Sequence, residues 1–402
     1  MRRNPRQIAA LVAASTLVAG MLVGGGWWIG HSGTSPSGAP APSISATPTT
    51  APAPTPTTAP STTPTAAPTR TAAALWRLLP PAPLTEWGYG VTAVWTGTEM
   101  LVYQAHPSAS HPASTIGYAY NPATRRWRKL ASIPVPKDDL EGRTNAVWTG
   151  TEMVVQGLVN AAYNPATNRW RPLGARAEIG EARYSPVVVW TGRQVLTWGG
   201  GACCAGDPAA DGTAYTPSTD RFETLPASPL RGRIAAGTWT GTEMVVVGGQ
   251  GAYDEERDRA TVFADAAAYN PLTRTWRRLP PLPAPRRDAT ATWTGSEVLV
   301  VGGQGGYPGY RVYADGVAYN PATNRWRPVP AMPVERRDHT AVWTGDQLIV
   351  WGGRLMRDGV WIAPPRGYAY DPATRRWTAL PTSPLRGRTG HFAAWTGTRM
   401  LI

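Results

Sequence analysis

Six arginines stand where they could hold an anion. Arg143, Arg183, Arg233, Arg287, Arg337 and Arg388 each lie five to seven residues ahead of a Trp-Thr-Gly triplet. The planar guanidinium fork suits carboxylates, sulfates and acidic sugars. The same fork can instead satisfy carbonyls or an acid in a neighbouring loop, and Asp288 and Asp338 follow two of these arginines directly. His339 and His391 lie four residues ahead of their tryptophans. A metal site there would need a third and a fourth ligand. Asp254, Glu255, Glu256 and Asp258 could supply a general acid and base or oxygen ligands for calcium, or form an ordinary charged surface. Tyr307, Tyr310 and Tyr313 beside Arg311 would suit stacking on sugar rings.

Other chemistry is excluded by what is missing. There is no P-loop, no His-Glu-x-x-His, no Gly-x-Ser-x-Gly elbow and no dinucleotide fingerprint. The two cysteines, Cys203 and Cys204, are adjacent and cannot form a spaced disulfide framework. The charge is basic, with 39 Lys+Arg against 26 Asp+Glu and a formal +13. Almost all of it is arginine, with lysine at Lys129 and Lys137 alone. No nucleic-acid module accompanies it, so no nucleic-acid partner is expected.

The elements that must carry these residues come from a repeat. Trp-Thr-Gly recurs at Trp95, Trp148, Trp190, Trp239, Trp293, Trp343 and Trp395. A period of roughly 50 residues marks a repeat architecture. In the unit from Arg337 to Pro381, His339 to Trp343 reads as a strand and Thr344-Gly345-Asp346 as a turn. Gln347 to Gly353 reads as a second strand and Gly367 to Tyr370 as a third. Asp371 to Thr374 is a turn, and Trp377 to Leu380 is a fourth strand stopped by Pro381. Four-stranded meanders repeated around an axis give a β-propeller.

The other units follow the same grammar. Tyr120, Tyr163, Tyr215, Tyr269 and Tyr319 mark the third strand, and Trp127, Trp170, Phe222, Trp276 and Trp326 the fourth. Gly199-Gly200, Gly248-Gly249 and Gly302-Gly303 close the second strand. A Gly-Gly pair, then a Tyr, then a Trp seven residues later resembles the kelch repeat over residues 75 to 402. The resemblance implies an all-β, seven-bladed kelch-type propeller of four-stranded meanders with the first strand innermost. On that reading the arginines would ring the mouth of a central channel. Trp76 to Leu79 would supply the fourth strand of the last blade, whose first strands end the chain and look truncated at Ile402. Kelch propellers also serve as radical-copper oxidases and as sialic-acid epimerases. The first would need a cysteine placed to crosslink a tyrosine, which an adjacent pair in one loop does not offer. No cofactor and no metal are expected.

Ahead of the repeats, Arg2, Arg3 and Arg6 precede an uncharged apolar run from Ile8 to Gly30 ending near Trp27 and Trp28. Its length suits a membrane-spanning anchor with the basic end in the cytoplasm; a cleaved secretion signal is the alternative. Residues 33–73 are rich in Pro, Thr, Ser and Ala and read as a disordered, semi-rigid spacer. The expected organisation is thus an anchor over 1–32, a linker over 33–73 and a propeller over 74–402. The expected function is an extracytoplasmic, membrane-tethered module binding a protein or glycan ligand through Arg143, Arg183, Arg233, Arg287, Arg337, Arg388, His339 and His391. The alternative is a carbohydrate-active enzyme similar to the kelch sialic-acid epimerases, with the arginine collar on a substrate carboxylate.

Overall fold

Each Trp-Thr-Gly triplet folds by its own chemistry. In Thr294-Gly295 the threonine Oγ1 accepts the Glu297 amide at 3.0 Å, and Gly295 takes φ +96°. Only glycine adopts that conformation without strain. The same hydroxyl-to-amide bond turns the chain at Thr96, Thr149, Thr191, Thr240 and Thr344. Each triplet therefore reverses the first strand into the second. The structure, a computed structural model, describes residues 76–83, 91–104, 116–133, 144–157, 159–174, 183–201, 207–254, 256, 259–306 and 310–402. The apolar run from Ile8 to Gly30 and the linker lie outside the described residues. Among the described residues no helix is long and apolar enough to cross a membrane.

Among the described residues six antiparallel sheets follow in chain order, four of four strands and two of five, spanning 91–129, 145–172, 187–224, 234–279, 290–329 and 337–379. The fifth is typical, with strands Thr290–Trp293, Val298–Val301, Gly316–Asn320 and Arg325–Val329 paired in order. Its register sets Val298 opposite both Trp293 and Tyr319, and Tyr319 opposite Trp326. The rings of Tyr319 and Trp326 lie 5.1 Å apart. The second strand is buried at every position, so it reads as a continuous apolar run rather than an alternating one.

The core lies between sheets. Val245 and Val247 of the fourth sheet share one cluster with Val298, Val300 and Tyr319 of the fifth. Leu299 and Val301 of the fifth share another with Leu348, Val350 and Tyr370 of the sixth. A polar clasp repeats on the same boundaries. Arg277 donates to both Glu243 carboxylate oxygens at 2.8 and 2.6 Å, and to the Tyr319 hydroxyl of the next sheet at 3.1 Å. Arg171 does the same with Glu152 and Tyr215, and Arg128 with Glu99 and Tyr163. Each bidentate pair lies within one sheet and holds the guanidinium where its remaining nitrogen reaches the tyrosine of the next.

The expected seven blades, six continuous and a shared, truncated seventh, are corrected to six. After the sixth sheet comes a hairpin of two strands, Ala394–Trp395 and Met400–Leu401. Among the described residues nothing else pairs with that hairpin, and Trp76 to Leu79 forms no strand. The side chains nevertheless follow the repeat. The Trp76 indole donates to the Pro381 carbonyl at 2.7 Å, as Trp377 does to Pro330 and Trp276 to Pro226. Leu79, Phe392 and Leu401 pack together with Met100 and Tyr120 of the first sheet.

Two sheets carry an extra hairpin on the loop side. In the fourth, strand Met244–Asp254 runs on to pair with Arg259–Val262. In the sixth, Leu348–Arg357 runs on to pair with Val360–Ile362. Both rise from the face opposite the Trp-Thr-Gly turns.

Candidate functional site

The arginines ahead of the first strands fall into two sets with different work. Arg183 donates to the Gly199 carbonyl and pairs with Asp211 at 2.7 Å. Arg233, fully buried, donates to the Gly248 carbonyl and pairs with Asp265 at 2.5 Å. In the next two sheets Arg286 and Arg336 occupy this place, rather than Arg287 and Arg337. Arg286 donates to the Gly302 carbonyl and pairs with Asp315 at 3.3 Å; Arg336 donates to the Gly352 carbonyl at 3.0 Å. An aromatic ring covers three of the four guanidiniums: Phe263 over Arg233, Tyr313 over Arg286 and Tyr368 over Arg336. These side chains tie the end of the second strand to the loop before the third, and their donors face the scaffold.

The sixth sheet breaks this pattern informatively. Where Asp211, Asp265 and Asp315 stand, the sixth sheet has Arg366, whose carbonyl accepts from Arg336 at 3.3 Å. Arg336 is fully buried with no carboxylate partner among the described residues. Burial pulls its guanidinium down to about 10. We expect Arg366→Asp to restore the missing acid and raise stability by about 1–2 kcal/mol, since a charge-assisted bond to a buried cation is worth that much. Urea unfolding of the variant beside the parent checks it; an unchanged midpoint would contradict the equivalence.

Arg287 and Arg337 belong to a second cluster. The Arg287 Nη2 donates to Gln304 Oε1 at 3.0 Å, and its Nη1 donates to Gln250. Arg337 donates to the same Gln304 oxygen and pairs with Asp288 at 2.8 Å and with Asp338 at 3.0 Å. Arg354 reaches Asp338 at 2.8 Å. Asp288 and Asp338 both sit at φ +55°, which turns their carboxylates back across the arginines. Burial raises the Asp288 carboxyl above its usual range, an effect Arg337 offsets in part. Burial likewise lowers Arg287. Three guanidiniums against two carboxylates leave one positive charge, and Arg354 is the most exposed of the three.

Trp361, on the hairpin of the sixth sheet, lies against this cluster. Its ring is 4.7 Å from the Arg354 guanidinium and 5.3 Å from that of Arg337. It is 38 % exposed. The sequence reading missed Trp361, Arg354, Gln250 and Gln304. A signal existed: the position after the Gly-Gly pair of the fourth, fifth and sixth sheets is Gln250, Gln304 and then Arg354. Other exposed large apolar side chains on this face are Tyr253, Tyr310, Met356, Val360 and Ile362. Beside the hairpin an open cleft of about 630 Å³ is lined by Trp361, Ile362, Pro365, Pro384, Leu385 and Arg386.

The histidines are elsewhere. His339 is buried and its Nε2 meets the Thr290 hydroxyl of the preceding sheet at 3.0 Å. His391 does the same with Thr340 at 2.8 Å and sets its ring edge-on to Trp351. Each ring packs over a glycine of the preceding sheet. A Cβ on Gly302, at φ +63°, would come within 2.7 Å of the His339 Cε1. These are staples between sheets. Burial lowers both rings, His339 to about 3 and His391 to about 4.

The remaining sequence candidates do not converge. Arg388 is exposed and its Nε donates to the Arg386 carbonyl at 3.3 Å. Arg143, Cys203, Cys204, Glu255, Asp258 and Tyr307 lie outside the described residues. Among the described residues no three His, Cys, Asp or Glu side chains gather to hold a metal.

Known proteins agree with this architecture. The Kelch motif matches residues 285–333, which run from the end of the fourth sheet through the fifth. The solved structure of YjhT aligns with a TM-score of 0.54 at 15 % identity, covering 75 % of this chain and 99 % of that one. At that identity the likeness speaks to the fold. No curated protein matches the chain. With the Kelch motif on one unit, its marks recurring sheet after sheet and a solved fold alike, the chain is a kelch-repeat β-propeller.

Proposed function

We propose that this propeller is a binding module that captures a protein or glycan ligand, without catalysis, on the loop face of its fourth to sixth sheets. One observation carries the reading. Trp361 lies within cation–π reach of two guanidiniums with its ring partly in water, at the edge of a cluster that keeps one unbalanced positive charge. Aromatic and arginine anchors of this kind supply most of the binding free energy in recognition sites. The extra hairpins place Tyr253, Met356 and Trp361 above the plain repeat, as variable loops on a rigid scaffold do.

The catalytic alternative would use Arg337 to clamp a substrate carboxylate. Asp288 and Asp338 already occupy that guanidinium, and His339 and Arg388 are engaged elsewhere. Arg354 meets Asp338 through its Nε at 2.8 Å, so a ligand can take its outer nitrogens and Trp361 with that pair in place. The apolar run from Ile8 to Gly30 and the Pro/Thr-rich linker would hold the module outside the cytoplasmic membrane.

A thermal-shift screen with acidic sugars and acidic peptides tests this. A ligand at a hundred times its Kd should add about 2.7 kcal/mol of stability. Arg354→Ala and Trp361→Ala should each abolish the gain while leaving the unliganded midpoint within a few degrees. Stabilisation that survives both substitutions would sink the proposal.

A further inference from the structure

We propose that the free edge of strand Val360–Ile362 is a strand-addition site for an extended, acidic segment of a protein partner. This deepens the binding-module reading and rests on it. The strand pairs on one side with Leu348–Arg357, in the register Leu355 to Ile362, Met356 to Trp361 and Arg357 to Val360. Among the described residues no strand pairs with its other edge. An open edge of this kind leaves backbone donors and acceptors ready to accept a further strand.

The edge is apolar where most exposed edges are guarded. Val360, Trp361 and Ile362 are all exposed, Val360 at 62 %. Neither charge nor proline interrupts the three. Pro364 and Pro365 then end the ladder, which limits the added segment to a few residues. The hairpin of the fourth sheet makes a useful contrast. Its second strand, Arg259–Val262, opens with a charge.

Chemistry around the edge selects the partner. The cleft walled by Ile362, Pro365, Pro384 and Leu385 gives alternate side chains of an added strand an apolar place to go. Arg357 and Arg386 are exposed, and neither is in an ion pair among the described residues. Arg354 adds a third cation nearby, 4.7 Å from the ring of Trp361 on the edge strand. An added strand with apolar side chains on one face and carboxylates on the other would meet all of these at once. Backbone bonds would supply affinity, and the cleft and the arginines would supply selectivity.

The probe is an end-capped octapeptide of alternating valine and glutamate, added to the full chain. The readout is hydrogen exchange at the amides of residues 360–362. The expected result is exchange slowed at least tenfold. A lysine-for-glutamate version should leave exchange unchanged. So should a version N-methylated at alternate amides, which keeps the side chains but cannot form the ladder. Val360→Pro should weaken the glutamate peptide at least tenfold. The N-methylated probe keeps the test valid even where that substitution disturbs the hairpin. Unchanged exchange with the glutamate peptide, or equal slowing by the N-methylated one, would overturn strand addition. If acidic sugars still stabilise the chain through Arg354 in that case, the binding module stands and only its partner class falls. If neither probe acts, both readings fall.

Discussion

Arg233→Ala is expected to destabilise the propeller by about 3–5 kcal/mol, the range for removing one partner of a buried ion pair. The guanidinium is fully buried, pairs with Asp265, donates to the Gly248 and Arg231 carbonyls and lies 3.8 Å from the Phe263 ring. Alanine would leave a cavity, two carbonyls without a donor and a carboxylate facing it. Arg233→Met keeps most of the volume, and half of the Asp265 problem is eased because that carboxylate is 37 % exposed. The methionine variant should therefore fall between alanine and parent. Urea unfolding of all three checks the order. A loss under about 1 kcal/mol for alanine would mean that this arginine is free for a ligand, contrary to its contacts.

Acid should unfold the protein through its histidines. In the fold His339 titrates at about 3 and His391 at about 4, whereas an unfolded histidine titrates near 6.5. Between about pH 4 and 6.5 the unfolded chain therefore binds more protons than the folded one. Stability is complete above this window and is lost as pH falls through it, by about 1.4 kcal/mol per pH unit for each histidine. Thermal midpoints measured every half unit from pH 7 to pH 4 should fall steadily. His339→Gln should flatten the slope by about half, at the cost of a lower midpoint at pH 7. A parent curve that is flat over this range would contradict burial of neutral rings against Thr290 and Thr340.

The repeat was legible because its marks are local. Trp-Thr-Gly is a turn whatever surrounds it, since Thr294 Oγ1 and Gly295 complete it within four residues. The pairing of Tyr319 with Trp326 follows from two strands and a short turn. Ring closure was less legible. Trp76 does reach Pro381, but a strand needs a neighbour to pair with, and that neighbour is a property of the whole ring.

The site was read only in part, for two reasons. In Arg286-Arg287 and Arg336-Arg337 the adjacent residues point to opposite tasks. Alternation along an extended chain sends neighbours to opposite sides, and spacing from a distant tryptophan does not say which one faces the scaffold. Trp361 escaped notice because it lies in a loop that the repeat pattern does not index. Its meaning comes from Arg337 and Arg354, which are 24 and 7 residues away in sequence but within cation–π reach in space. His339 and His391, expected among the ligand-binding residues, instead bond to Thr290 and Thr340 of the preceding sheets; their recurrence at one repeat position was the sign of that role.

Recognition is proposed on the loop face of the fourth to sixth sheets. Hydroxyl-radical footprinting of the full chain, in the cells that make it and after purification, tests this most directly and needs no knowledge of the ligand. Tyr253, Tyr310, Met356 and Trp361 are exposed and oxidisable, and Leu272 at the opposite, Asn-Pro turn is 86 % exposed. The first four should react at least threefold more slowly in cells than after purification, with Leu272 unchanged. Equal reactivity of all four in both states, or protection of Leu272 in their place, would contradict it.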